Sequence, residues 1–164
     1  MTLNSNLKYD HLCFSETLQN SHELNSYEIC AAVGLLSRNI KIIGSSYPKQ
    51  DSDLYGVRVI VSDYSTLNID GVPLYYKGFA RVSNAEFVRP GQFSKASEDD
   101  NKFGILFSNL GEYNTTRPSY VRNCAFHNGY SVAIGILNSN SIPIENNVIY
   151  RTIDYSILVK KGHS

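Results

Sequence analysis

The chain of 164 residues has no tryptophan, one methionine and three cysteines. Cys13, Cys30 and Cys124 are an odd number at no metal-like spacing, so neither a dense disulfide scaffold nor a zinc module is read from them. Each fits as an ordinary small core residue. No apolar run approaches the roughly 18 residues of a membrane span; the longest near-apolar run is Ile29 to Leu36. The first 30 residues lack the basic start, apolar centre and small-residue cleavage site of a secretory signal. Neither charge is in excess, with Lys plus Arg at 15 and Asp plus Glu at 15. That balance argues against nucleic acid as a main partner, because phosphate contacts need surplus basic residues.

Reactive motifs are also missing. There is no Gly-rich phosphate loop, no His-Glu-x-x-His and no Cys-x-x-Cys. His11, His22, His127 and His163 have no metal-ligand spacing. No cofactor and no metal are therefore expected. His127, beside Asn128-Gly129, reads as a turn residue. Asp99-Asp100 is the only adjacent carboxylate pair. Glycoside hydrolysis needs two carboxylates flanking a bond, and this pair, in a polar loop, reads as solvated.

What the chain does have is a repeat. Val121-Arg-Asn123-Cys-Ala-Phe126 returns as Ile144-Glu-Asn146-Asn-Val-Ile149, with an offset of 144 − 121 = 23. After each comes an aromatic–Ser–aliphatic stretch, Tyr130 to Ile134 and Tyr155 to Val159, offset 155 − 130 = 25. A short repeat built of strands and turns points to a solenoid with one coil of chain per repeat. Strands this short cannot bury an apolar face alone; stacking them about 4.8 Å apart buries them together. Period two predicts Val132, Ile134, Ile157 and Val159 inside, with Ala133 and Lys160 outside. Asn tolerates the left-handed backbone that tight bends need, and Asn84, Asn123 and Asn146 are read as one turn ladder. An antiparallel β-sandwich also has short strands at regular spacing. The match in register, beyond the match in spacing, favours a right-handed parallel β-helix of about five or six coils.

Along the chain, residues 1–8 read as a loose start, Tyr9 to Leu18 as a first strand with its turn, and Gln19 to Ser26 as a turn. Tyr27 to Ile43 reads as strand-rich, with a helix over Tyr27 to Leu36 as the alternative. Ser45 to Leu54 is a loop and Tyr55 to Ser62 a strand. Asp63 to Asp70 turns, and Gly71 to Tyr76 is extended, with Pro73 barring an unbroken central ladder. Val82, Asn84 and Phe87 repeat the strand–Asn–strand unit. Residues 89–102 and 111–118 are loop insertions in a single β-helix domain, 1–164. Phe103 to Phe107 matches the Tyr130 stretch at an offset of 27, placing Ile105 and Phe107 under Val132 and Ile134.

Three segments, Leu35-Leu-Ser-Arg-Asn-Ile40, Arg81-Val-Ser-Asn-Ala-Glu-Phe87 and Arg117 to Ile134, occur in the order seen in one family. They resemble the parallel β-helix region of the fibrocystin (polyductin) and fibrocystin-like proteins, and the resemblance runs from Leu12 to Val159. It implies part of the extracellular region of a receptor-type, single-pass membrane glycoprotein, with a family link to primary cilia, tubule formation and the cell-surface coat. It implies an unknown extracellular protein or glycan as partner and no catalytic residue. An extracellular setting admits a Cys13–Cys30 bridge without fixing the pairing. It also makes Asn114, in Asn114-Thr115-Thr116, a candidate N-glycosylation site. The chain ends just after an apolar strand with no polar cap, which reads as a portion of a longer solenoid.

More distantly the chain resembles cell-surface hyaluronan-degrading proteins with a related β-helix. Those carry His-Phe-His near the strand that here reads Ile105-Leu106-Phe107-Ser108-Asn109. Both histidines are absent, which weakens a hyaluronidase reading. The alternative of a polysaccharide-binding or polysaccharide-degrading β-helix still stands on the long groove such a fold offers.

Overall fold

The computed structural model describes residues 13–20, 23–30, 34–48, 53–93, 102–111 and 116–161. The chain forms two compact units, Met1–Gly34 and Leu35–Ser164, each described by itself. The first is a hairpin of β1 (Cys13–Asn20) and β2 (Glu23–Cys30), antiparallel from Cys13 opposite Cys30 to Asn20 opposite Glu23. Cys13 is disulfide-bonded, whereas Cys124 is free and buried. The turn read over Gln19 to Ser26 is mostly strand: backbone pairing in a hairpin overrides the low strand propensity of polar residues.

The second unit begins with β3 (Ile40–Ile43), β4 (Leu54–Tyr55), β5 (Val59–Ser62), β6 (Tyr64–Leu67) and β7 (Pro73–Tyr76). It continues with β8 (Arg81–Ser83), β9 (Ala85–Val88), β10 (Gln92–Phe93) and β11 (Ile105–Gly111). Then come β12 (Tyr120–Arg122), β13 (Ala125–Gly129), β14 (Ile134–Ser139), β15 (Ile144–Glu145), β16 (Val148–Thr152) and β17 (Ile157–Lys160). No helix occurs among the described residues. Three sheets are parallel: β5–β11–β14–β17, β8–β12–β15 and β3–β9–β13–β16. The triplets β8–β9–β11, β12–β13–β14 and β15–β16–β17 each give one strand to each sheet, in the same order. They are tiers of one stack, which the antiparallel sandwich does not allow.

Register follows the 23-residue offset throughout the last two tiers. Val121 pairs with Ile144, Phe126 with Ile149, and Ile134 with Ile157. The Tyr130–Tyr155 match is therefore two residues out. Tyr130 starts no strand; it lies in the bend before β14 and its hydroxyl donates to the Ser45 carbonyl at 2.9 Å. In the same way Ile105 pairs with Ile134 and Phe107 with Ile136, an offset of 134 − 105 = 29 in place of 27. A slip of two residues keeps each side chain on its face. Ile105, Phe107, Ile134 and Ile136 accordingly all lie in the main core.

Other side chains differ from the alternating pattern. Ala133, expected outside, is buried in the main core, and Val132 joins a separate cluster with Phe103 and Leu106. The bend through residues 131–133 breaks a period that holds only in extended chain. Gly135 belongs to the second cluster's geometry: a Cβ there would strike the Phe103 ring, which crosses the outer face at that point. Ile157 and Val159, expected inside, are exposed, because β17 is paired along one edge only. Between neighbouring tiers of one sheet the Phe87 and Phe126 rings stack at 4.7 Å and 9°, and each such buried side chain contributes roughly 1.5–3 kcal/mol.

The tiers turn at three left-handed corners. Asn84, Asn123 and Asn146 form the first, with φ of 55°, 54° and 52°. Arg89, Asn128 and Arg151 form the second, and Asn109, Asn138 and Lys161 the third, all at positive φ. Asn suits the left-handed region, which costs other residues with a Cβ roughly 1–2 kcal/mol. Between β5 and β8 the chain leaves the stack as an antiparallel hairpin, β6 with β7. The stretch read as a turn therefore includes β6. Pro73 opens an edge strand, where its missing N–H is tolerated. The hairpin closes at Asn68, whose Oδ1 accepts from the Asp70 and Val72 amides.

Candidate functional site

The outer face of the β3–β9–β13–β16 sheet carries the one buried carboxylate among the described residues, Glu86, at 4% exposure. In register, Glu86 has Lys41 opposite it on one side, and His127 follows two residues beyond its partner Ala125 on the other. Lys41 Nζ lies 3.2 Å from Oε2. His127 Nε2 lies 3.1 Å from Oε1. A carboxylate can only accept, so Nε2 carries the proton and donates. On the ring's other side Asn128 Nδ2 lies 3.2 Å from Nδ1. The His127 ring stacks on Tyr150 in the next tier at 5.1 Å and 14°.

Arg38 ties the preceding segment across this face. Its backbone N–H donates to Glu86 Oε2 at 2.9 Å, and its Nε donates to the Asn123 carbonyl at 2.8 Å. The guanidinium also donates to the Ser37 carbonyl at 3.0 Å and to that of Leu35. The Arg38 amide, then the bonds from His127 and Lys41, outweigh desolvation and hold the Glu86 carboxyl down at about 2. A group so acidic stays ionised at any physiological pH, which suits a clamp and not a general acid. Cys124, beside the first corner, donates through Sγ to the Arg122 carbonyl at 3.2 Å. Burial pushes its thiol up, away from the thiolate that reactive cysteines need.

The first corner brings Asn84, Asn123 and Asn146 into one column. The Asn84 amide donates to the Arg122 carbonyl at 3.2 Å, and the Asn123 amide to the Glu145 carbonyl at 3.1 Å. The side-chain bridge between tiers comes from the neighbouring Asn147. Its Oδ1 accepts from the Cys124 amide and its Nδ2 donates to the Val121 carbonyl, both at 2.9 Å. At the third corner the amides do meet: Asn138 Nδ2 donates to Asn109 Oδ1 at 2.9 Å. Asn114, Asp99, Asp100, His11, His22 and His163 lie outside the described residues.

His127, expected as a turn residue, lies in β13, one position before the corner at Asn128. Neither Glu86 nor Lys41 lies in a reactive motif of the sequence. Counting from the corners finds the group: Glu86 is two after Asn84, and His127 four after Asn123. Ile105 to Asn109 holds no titratable side chain; Ile105 and Phe107 are core, and Leu106 packs in the outer cluster. A second polar face lies on the β8–β12–β15 sheet. There Arg122 sits 3.7 Å over the Tyr120 ring, and Arg81 and Arg117 lie 5.9 Å and 5.5 Å from the Phe79 ring centre.

The CEMIP beta-helix family model matches residues 71–163. Fibrocystin-L of Homo sapiens is 38% identical over 97% of this chain, and that of Mus musculus 36% over the same share. The cell migration-inducing and hyaluronan-binding protein of Mus musculus is 26% identical over 88% of the chain. The chain spans 4% of the length of each fibrocystin-L and 10% of the latter protein. No solved structure matches. Matched over more than half its length, and built of parallel sheets stacked tier on tier, the chain belongs to the CEMIP β-helix family as a fibrocystin-like β-helix region.

Proposed function

We propose that this region is a non-enzymatic, stiff module of a receptor-type protein at the cell surface, acting as a spacer and as a flat surface for an extracellular ligand. The tiers are coils of a right-handed parallel β-helix. Support for that hand comes from the parallel pairing of β11 with β14 across an intervening connection, since such crossovers are nearly always right-handed. The observation that carries the functional reading is the in-register stack of three parallel sheets, with the one buried carboxylate among the described residues held in a clamp. A stack whose tiers contact only their neighbours makes a rod with long faces. Incubation with hyaluronan and with pectin, followed by sizing of the polymers, tests it. Unchanged chain lengths are expected; shortened chains overturn the reading.

The similarity to fibrocystin-L supports an extracellular setting, and Asn114 is then the proposed glycosylation site. Secreted from animal cells, the chain should lose mass on treatment with an amidase that removes Asn-linked glycans, and Asn114→Gln should abolish that loss. A mass that the enzyme leaves unchanged contradicts it.

A second reading is polysaccharide binding. The observation favouring it is the face where Arg81, Arg117 and Arg122 lie over Phe79 and Tyr120, together with the similarity to a protein named for binding hyaluronan. Salt-sensitive retention on immobilised hyaluronan that Arg122→Gln reduces would support this reading; no retention would remove it.

A further inference from the structure

On the β8–β12–β15 sheet, Val82, Val121 and Ile144 turn inward to the main core, and alternation sends the residues beside them outward. That outward set is cationic and aromatic. Arg81 is the register partner of Tyr120, and Arg122, two residues further along β12, is that of Ser83 and Glu145. Strands about 4.8 Å apart and residues about 3.3 Å apart along each put the Arg81 and Arg122 backbones about 8 Å from one another. Two excursions from the stack add to this face. Phe79 stands at the foot of the β6–β7 hairpin, fixed there by the Gly78 amide, which donates to Asp63 Oδ1 at 3.0 Å. Arg117 comes in the connection from β11 to β12. Insertions in a stack of repeats often map to the face that binds. Arginines elsewhere are spent on the fold: Arg38 donates to the carbonyls of Asn123, Leu35 and Ser37, and Arg89 to that of Gly44. Arg122 instead lies over the Tyr120 ring, and its Nε has no hydrogen-bond partner. A guanidinium held over a ring is fixed in direction while its terminal N–H groups can still donate.

We propose that this face binds a sulfated glycosaminoglycan in preference to an unsulfated one. The inference rests on the reading above that the face takes a polysaccharide, and it adds which class. The Phe79 and Tyr120 rings offer apolar surface against which the C–H side of a sugar ring packs. The guanidiniums offer forked donors that match the paired oxygens of a sulfate or a carboxylate. Charge density separates the two classes. Hyaluronan carries a single carboxylate per disaccharide and no sulfate, so it meets so tight a cluster with one anion at a time. A sulfated chain sets several anions on the same length and can engage Arg81, Arg117 and Arg122 together. Among the described residues, the one carboxylate in register with these arginines is Glu145, opposite Arg122. Positive charge is therefore concentrated on this face of a chain that is neutral overall, and such a local concentration is what attracts a polyanion.

Biosensor titration of the full 164-residue chain over immobilised heparin, chemically desulfated heparin and hyaluronan tests this. Heparin should bind at least about tenfold more tightly than either of the others, since one further charge-assisted hydrogen bond is worth roughly that factor. The affinity should fall as salt is raised. Arg81→Gln and Arg122→Gln should each weaken heparin binding about tenfold. Arg151→Gln, which removes the same charge at the second corner, should leave it nearly unchanged. Circular dichroism checks that each variant keeps its strand signal, and the two arginines, in different tiers, test the face independently. Hyaluronan bound as tightly as heparin overturns the preference for sulfate and leaves the polysaccharide reading standing. Binding of none of the three removes both. Heparin binding that survives Arg81→Gln and Arg122→Gln, or that Arg151→Gln weakens equally, overturns the assignment to this face.

Discussion

The last two tiers have the same repeat and the same register, yet they differ in burial. Ile134 is 0% exposed and its partner Ile157 is 43%; Ile136 is 6% and Val159 is 57%. The side chains are of one kind and their strands lie side by side. What differs is that β14 has β11 on one side and β17 on the other, whereas β17 has β14 alone. Burial in this fold is thus a property of neighbours, and a sequence unit does not reveal by itself how much of its apolar surface is covered.

That contrast is sharpest in truncation. Ile134→Ala should cost about 2–5 kcal/mol, since it opens a cavity between two tiers. Ile157→Ala should cost less than about half as much, because among the described residues its strand pairs along one edge only and the side chain is 43% exposed. Denaturant unfolding of both variants measures the difference, and equal losses would break the comparison. Next in size is Asn147→Ala, which removes a bridge from the last tier to the one before it. It leaves the Cys124 amide and the Val121 carbonyl without that partner, and we expect a loss of roughly 2–3 kcal/mol.

Acid tests the outer clamp. The Glu86 carboxyl is lower in the folded chain, at about 2, than its ordinary value of 4.5. Its contribution is therefore fully present above pH 4.5 and is lost as the pH falls through about 2. With Lys41 half exposed to screening solvent, that contribution is about 2 kcal/mol. Glu86→Gln should flatten the acid limb of a stability–pH profile; an unchanged limb would show the clamp to be inert. The smallest effect is the one that should ignore tier position. Asn123→Ala and Asn146→Ala each place a Cβ-bearing residue poorly suited to it at a left-handed corner, at about 1 kcal/mol apiece. Backbone strain is local where burial is not, so the two losses should match.

The inner architecture was legible because Val121 to Phe126 and Ile144 to Ile149 repeat with their corner Asn in place. The Tyr–Ser stretches misled by two residues. Tyr130 is buried and anchored to Ser45, while Tyr155 is exposed, so their likeness is not one of position. Faces survived the slip because side-chain direction has period two. The Glu86–His127 pair was not legible: its residues are 41 apart, and the two insertions between them hide the register. The β6–β7 hairpin was missed because Asp63 to Asp70 has turn composition, while the actual reversal spans Asn68 to Val72.

The register of the stack is the central claim, and methyl-labelled isoleucine and valine give the most direct measure of it. Nuclear Overhauser contacts should join the Ile134 methyls to those of both Ile105 and Ile157, and the Ile136 methyls to those of Val159. Contacts from Val132 to Ile157 and from Ile134 to Val159, without those from Ile134 to Ile157, would contradict it.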